Sequence, residues 1–510
     1  MTLSELQKQF EDKKFPIELP GHLIGLDWVK VNKGTRLKGS HNPNDGSSIA
    51  SMEIDRGVIE KALDCANKST KFQILDLDQR AKIVGDFRSR LADFQSLAID
   101  IMRVETGLPR WEAALELDHA LRYLEYMSTN ASEVFEDLHR PARLGQFSQN
   151  VEFQPIGTVA AFLPFSTPLT HFALYFSASM LMGCPLVLFS SSQAVANSYL
   201  IASIIKDLNI PDNAVSVIFS NFEYYKLAIS DQRVKAALYT GSREHCELIR
   251  RERRLGRQNI LQSGGKNAVI VHSSADLDLA VKCVAFGALT GAGQRCSSTS
   301  RVFVYKPLMK EFREKLLEAF TSVKVGRTDI DSGDEPFMGP LYSKKAVDKY
   351  LRFQTMANRE STKTDLWGKA LGLTPEGSFV APSIHYIENF DNLQAYQSNV
   401  LFSPDVTLYP YDVLDTAIDH INTTDASYVV SFIGDADVFK DRRKLFLAPN
   451  LLVNQPTIEF DVALPLAGRL QSGHHRFHGP GLAIYLGYPQ VIIEDSGVSG
   501  MVSEWPWPKL

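Results

Sequence analysis

The run Gly293-Gln294-Arg295-Cys296-Ser297 sets a thiol behind a stretch of small residues, Gly287-Ala288-Leu289-Thr290-Gly291-Ala292. Such a stretch ends a helix and lets backbone approach a ligand. A cysteine there is positioned for nucleophilic work wherever nearby donors favour its thiolate. Alone the pattern says little, because a free cysteine is more often a buried, inert hydrophobe. Two upstream blocks change that weighting. Tyr239-Thr240-Gly241-Ser242 reads as a strand-to-helix turn, whose free N–H groups and helix dipole can hold a pyrophosphate. Gln262-Ser263-Gly264-Gly265-Lys266-Asn267 closes a further strand with paired glycines, about thirty residues before Cys296.

The elements that must position these blocks are legible as alternation. Between Val159 and Leu261 short apolar runs (Val159 to Leu163, Leu186 to Phe189, Val215 to Phe219, Ala236 to Tyr239) alternate with helical patterns, which predicts a parallel sheet with crossover helices. A second series follows through Val269 to Val271, Val302 to Tyr305, Val406 to Leu408, Val429 to Phe432 and Leu451 to Val453. Helical spacing from Ile59 to about Met127 makes a lead-in. Residues 1–56 read as mixed and turn-rich, with Asn42 to Gly46 a tight turn between extended runs. Gln146 to Phe153 and Leu482 to Ile493 both read as extended and suit an oligomer interface. The expected class is α/β, a doubly wound nucleotide-binding domain followed by a second α/β domain.

Composition bounds the partners. The chain has 510 residues, 44% hydrophobic and 22% charged, with a net charge of -5, so two or three ordinary globular domains are expected and no nucleic-acid footprint is present. Pro164, Pro168 and Pro185 interrupt the apolar stretch from Gly157 to Phe189, which argues against a membrane span. The five cysteines are scattered without metal-type spacing and the first ten residues are polar, which predicts a cytoplasmic protein. His474, His475 and His478 fall in a glycine-rich segment with no defined third ligand, so a loop at a substrate entrance is expected and no metal. Arg295 and Arg476 are candidates to attract a substrate carboxylate.

Besides the three blocks, the chain carries Glu105-Thr106-Gly107, Pro155-Ile156-Gly157, Pro164-Phe165-Ser166-Thr167-Pro168, Gly339-Pro340-Leu341, Phe402-Ser403-Pro404 and Ser472-Gly473 after Pro465. With these it resembles the aldehyde dehydrogenase superfamily over roughly Asn42 to Asp495. Gly293 to Cys296 and Asn454-Gln455-Pro456 look most like succinylglutamate semialdehyde dehydrogenases, with pyrroline-carboxylate dehydrogenases next. The resemblance implies an aldehyde dehydrogenase-like fold: residues 1–136 with 154–261 as the cofactor domain, 262–480 as the catalytic domain, and 137–153 with 481–510 as a bridging oligomerisation hairpin. It also implies that Cys296 attacks a small-molecule aldehyde, that hydride passes to NAD or NADP, that the thioester is hydrolysed, and that the assembly is a homodimer or homotetramer. Ser166 and Gln262 fall at the other catalytic positions, and Phe165, Gly241, Ser242, Gly264 and Phe402 at cofactor-binding ones.

Several of those positions depart from the family pattern. Ser166 stands where the family has an oxyanion-binding Asn. Gln262 stands where it has the Glu that activates water, and an amide cannot take a proton at neutral pH. General-base assistance of about 10²- to 10⁴-fold is at stake. Glu244 is near in sequence, but the following helix carries it away. Phe189, Ser192 and Val400 replace charged groups that contact the cofactor riboses, and Cys246 replaces a close-packing glycine. Charged hydrogen bonds are worth about 1.5–3 kcal/mol each, so weak or absent NAD(P) binding is an expectation. Two alternatives stay open beside aldehyde oxidation: a degenerate homologue with a structural or binding role, and transfer of the thioester to coenzyme A.

Overall fold

The apolar runs Thr158–Phe162, Leu186–Phe189 and Val215–Ile218 are buried along their whole length, as strands covered by helices on both faces must be. In the computed structural model of the chain they are the middle of a seven-stranded sheet. The order is Gln258–Gln262, Val234–Thr240, Thr158–Phe162, Leu186–Phe189, Val215–Ile218, His22–Ile24 and Asp27–Val29. The first five are parallel to one another, and the last two form an antiparallel edge. The structure describes residues 2–495 apart from 32, 69–71, 73, 137–141, 145–146, 212–213, 253–254, 332, 374, 459 and 475–476.

The chain runs outward from Thr158–Phe162 on one side and then returns to place Val234–Thr240 on the other. That reversal opens a crevice beyond the carboxyl ends of those two strands, where open α/β sheets bind ligands. The second sheet is also seven-stranded, in the order Lys363–Leu366, Ser383–Tyr386, Asp405–Tyr411, Thr299–Tyr305, Asn267–Val271, Val429–Ile433 and Asn450–Val453. Only Lys363–Leu366 is antiparallel to its neighbour. Between the sheets, Gln258–Gln262 leads straight into Asn267–Val271, so four residues turn the chain from one body to the other. A separate antiparallel sheet joins Gly487–Asp495 to Phe147–Pro155 and Ala142–Leu144.

Both expected strand series are present, and the tight turn at Asn42 to Gly46 lies between the paired strands Thr35–Lys38 and Ser51–Ile54. Two readings change. Leu482 to Ile493 is not extended throughout: Pro480–Leu486 is a 3-10 helix, and the strand starts at Gly487. Leu482, Ala483 and Leu486 are buried in the core that holds the helix Pro168–Met182. The Leu486 carbonyl accepts from the Ile156 N–H at 2.9 Å and from Cys184 Sγ at 3.2 Å. Burial on one side of a short turn leaves no alternating pattern to read. The N-terminus is more ordered than its composition indicates: Thr2 and Glu5 form a capping box over the helix Leu3–Glu11. Of the expected oligomerisation segments, residues 137–141, 145–146 and 496–510 lie outside the described ones.

Candidate active site

The turn after Gln258–Gln262 folds beneath the thiol loop, and glycine is required there. Gly264 has φ 67°, and a Cβ on it would stand 2.9 Å from the Cα and Cβ of Cys296. The Gly265 N–H donates to the Cys296 carbonyl at 3.2 Å, and Asn267 Nδ2 donates to the carbonyls of Cys296 at 3.0 Å and Ser298 at 2.9 Å. Gln294 fixes the other flank, accepting from the Tyr342 N–H at 3.0 Å and donating to the Gly291 carbonyl at 2.9 Å. The loop that carries the thiol is therefore tied on both sides. Gln262 Nε2 stands 3.8 Å from Cys296 Sγ and also donates to the Tyr428 hydroxyl, which holds the amide beside the sulfur. Ser472 and Gly473 close over the same strand end, the Ser472 carbonyl accepting from the Ser263 N–H at 3.0 Å.

Burial dominates the thiol's acidity and pushes it up to about 11, against the opposing pull of Arg295 and the backbone N–H groups of Cys296 and Ser297. Cys184 and Cys246 are pushed further, to about 12. Cys283 is raised to about 11 as well and borders a separate cavity of about 410 Å³, whereas Cys296 lines two cavities that meet at the thiol loop. Ser166 and Thr240 line both as well.

The smaller cavity, about 150 Å³, is walled in part by Glu116, His119, Tyr123, Thr170, His171 and His478. Glu116 accepts from the Thr170 N–H at 3.0 Å and hydroxyl at 2.9 Å, and burial raises its carboxyl to about 7. Burial lowers His119 and His171 to about 4 and His478 to about 3, so all three imidazoles are neutral at physiological pH. Arg295 is spent on a buried ion pair. Its Nη2 and Nε reach Glu112 Oε1 at 2.9 and 3.2 Å, while Glu112 Oε2 accepts from the Gly291 N–H at 2.8 Å. The role considered for Arg295, drawing in a substrate carboxylate, conflicts with this pairing. Arg476 lies outside the described residues.

The larger cavity, about 600 Å³, is the crevice at the strand reversal. Phe165, Ser166, Gly241, Ser242 and Phe402 line it, and the Phe165 ring packs on Tyr342 at 4.4 Å. Gly264 does not form its wall; it supports Cys296 from below. The Ser242 hydroxyl caps the helix Arg243–Arg251 by accepting from the His245 N–H at 3.3 Å. Lys345, Lys349 and Arg352 face this cavity from the helix Lys344–Glu360. Volume, helix N-terminus and three cations fit the phosphates and nicotinamide of a dinucleotide. The far end differs. Between the two helix starts at Asn221 and Ser242, the rings of Phe222 and His245 stack on each other, 3.6 Å apart and within 4° of parallel. A base sandwiched between those helices would need that space. Phe189 is fully buried, edge-on to Tyr225, and offers no charge.

Sequence reading did not identify Glu112, Glu116, His119 and Tyr123 as site residues. Their spacing was readable, since positions 112, 116, 119 and 123 share one helical face, but Arg110, Asp118, Arg122 and Glu125 on the same helix hid which polar side chains turn inward. Tyr428 carried no local signal, since it reaches Gln262 from the second sheet; Asn267 ends the block that starts at Gln262, but its bonds to the thiol loop were not readable from that block. His474, expected at an entrance loop, is only half-buried, whereas His478 is inside, next to Tyr175. Among the described residues no three His, Cys, Asp or Glu side chains stand together as a metal site, and no helix is long and apolar enough to cross a membrane.

Comparison with known proteins agrees with this architecture. A family model described as "Aldehyde dehydrogenase family" matches residues 28–488. Among curated proteins the chain is 26% identical to succinate-semialdehyde dehydrogenase, mitochondrial, of Oryza sativa subsp. japonica, covering 88% of this chain and 85% of that one. It is 24% identical to betaine aldehyde dehydrogenase, chloroplastic, of Beta vulgaris, covering 97% and 99%. Among solved structures, apo betaine aldehyde dehydrogenase from Staphylococcus aureus superposes with a TM-score of 0.88 at 19% identity, over 98% of this chain and 99% of that one. An aldehyde dehydrogenase from Brucella melitensis biovar abortus 2308 gives 0.86 at 21%, over 94% and 97%. The α/β fold of those structures is the fold of this chain. The chain belongs to the aldehyde dehydrogenase family, whose members act on aldehydes and typically use NAD or NADP.

Proposed function

We propose that the chain oxidises a small aldehyde through covalent attachment to Cys296, with NAD or NADP in the larger cavity. The observation that carries this reading is that one accessible thiol lines two cavities, one able to hold a short aldehyde and the other a dinucleotide. The thiol gives its proton to solvent water and its sulfur adds to the carbonyl carbon, as the C=O pair moves onto the oxygen, which takes the negative charge. Donors for that oxygen are the Cys296 backbone N–H, the Gln262 amide and the Ser166 hydroxyl. A bound nicotinamide supplies the hydride acceptor. Ser242 and the helix N-terminus, with Lys345, Lys349 and Arg352, would hold its phosphates, while Phe402 would border its ring.

Two features limit the rate. The thiol's raised pKa keeps most of it protonated at neutral pH. Gln262 can orient a water but cannot accept its proton, so release of the acid is the slow step. A second reading, a scaffold that retains a reactive thiol without efficient turnover, is favoured by that same Gln262 and by the closed Phe222–His245 pair. The separate sheet of Phe147–Pro155 and Gly487–Asp495 is the proposed contact of a homodimer or homotetramer.

The test is calorimetric titration of purified protein with NAD and NADP, together with alkylation of each cysteine by a small reagent between pH 6 and pH 10, using Cys296→Ala as the control. The proposal expects measurable binding of one cofactor, and labelling of Cys296 that outpaces the other four cysteines and climbs steadily with pH. No binding at millimolar cofactor would leave the second reading. Labelling of Cys296 no faster than the other cysteines would remove the nucleophile assignment altogether.

A further inference from the structure

The smaller cavity holds two buried polar groups that the reaction above does not use. His478 is 2% exposed, and among the described residues neither ring nitrogen has a hydrogen-bond partner. Tyr123 is also 2% exposed, and among the described residues its hydroxyl is likewise without one. Both line the same cavity as Cys296, although they arrive from opposite ends of the chain: Tyr123 from the helix Arg110–Thr129 and His478 from the two-residue strand Phe477–His478. Buried polar groups are almost always satisfied, and leaving one unpaired is costly. Both side chains border one cavity beside a reactive thiol, and a small rotation of either turns its covered polar atom toward a ligand that supplies the missing partner.

The charges around them restrict the ligand. Arg295, the cation on this wall, is held by Glu112, and Glu116 adds a carboxyl that is partly ionised near neutral pH. Asp461 adds another carboxylate to the lining. A carboxylate tail would meet two carboxyl groups and no free cation. A neutral imidazole and a phenol each offer one donor and one acceptor, which matches a hydroxyl or amide.

Resting on the proposed chemistry of Cys296, we infer that this cavity selects short aldehydes whose tail ends in a neutral hydrogen-bonding group, held by His478 and Tyr123, over both apolar and carboxylate-tailed aldehydes. The semialdehyde class suggested by motif wording is thereby disfavoured. A site built to pair a hydroxyl discriminates against the analogue lacking it, because its own groups are then left unpaired.

The experiment measures how well β-hydroxypropanal, butanal and succinate semialdehyde each protect Cys296 from alkylation in cofactor-free protein. β-Hydroxypropanal is expected to protect at concentrations at least about tenfold lower than the other two. His478→Leu should abolish that advantage, and His478→Gln should restore part of it. A parallel titration uses propane-1,3-diol, which cannot react with a thiol, on Cys296→Ala protein, following the His478 imidazole by NMR. A shift of that signal is expected. Tightest protection by succinate semialdehyde, equal effects of His478→Leu on all three aldehydes, or no imidazole response to the diol would overturn the inference. If no aldehyde protects but the diol still shifts His478, it is the Cys296 chemistry that fails and the polar-tail site that stands.

Discussion

His245→Ala should tighten the binding of NAD without changing that of nicotinamide mononucleotide. In the native chain the His245 ring lies flat on Phe222 at 3.6 Å, and Tyr239 steadies it with a hydrogen bond of 2.8 Å to Nδ1. An adenine entering between the two helix starts must first separate that pair, and such pairs are worth about 0.5–1.5 kcal/mol beyond the area they bury. Removing the imidazole eliminates this cost and leaves the Phe222 face free. Stacking of a base on an aromatic ring is worth about 1–3 kcal/mol. Part of that stacking replaces contact that the His245 ring would itself offer the base, so the net gain is about 1–3 kcal/mol, or roughly five- to 150-fold in Kd. Phe222 itself should be kept, because it packs with Phe162, Tyr225 and Tyr239 in a core whose loss would confuse the result. The assay is calorimetry in a Cys296→Ala background, with the mononucleotide as the ligand that lacks adenine. Equal tightening of both ligands would mean that the cavity had simply been enlarged. Weaker NAD binding would mean that His245 swings outward and holds the base on its own face, and the closed-slot reasoning would be refuted.

Two further outcomes follow from the same geometry. Gln262→Glu should raise steady-state aldehyde oxidation by one to two orders of magnitude, part of the about 10²- to 10⁴-fold available from a general base. The initial burst of reduced cofactor should change much less, and a burst that accelerates equally would show that hydrolysis is not the slow step. Glu116→Gln should alter how stability depends on pH. The native carboxyl is raised from 4.5 to about 7 by burial, so its proton stabilises the fold fully below about pH 4.5 and that contribution is lost as pH rises through 7. The lost term is at most about 3 kcal/mol. Denaturant midpoints should therefore fall less for the variant than for the native protein between pH 5 and pH 8, and parallel curves would exclude Glu116 as a titrating group.

The parts of the fold that read clearly from sequence were those with an unbroken apolar run between turns or with helical spacing. Val159 to Leu163 and Val269 to Val271 announced buried parallel strands because every residue in them is apolar, and the loops between them carried the glycines that only tight turns need. Cys296, Gln262 and Ser166 were legible because their neighbours fit a known motif order. What stayed hidden acts at long range. Tyr428 meets Gln262 from the other sheet, Glu112 meets Arg295 across the body of the protein, and His478 turns inward where its glycine-rich surroundings indicate only a loop. The Phe222–His245 pair was invisible for a related reason: each residue is unremarkable in its own helix, and only the approach of two helix starts makes them a plug.

The burial of Leu482, Ala483 and Leu486 against the helix Pro168–Met182 has a consequence for biosynthesis. Cys184 finds its partner, the Leu486 carbonyl, 302 residues later in the chain. At about 5–20 residues per second, a ribosome needs roughly 15–60 s to deliver that partner. From the synthesis of Gln262 onward the first sheet is complete in its strands, yet until Leu486 arrives one flank of its largest core is open to solvent. Nascent chains of this protein should therefore depend on chaperone shielding late in translation.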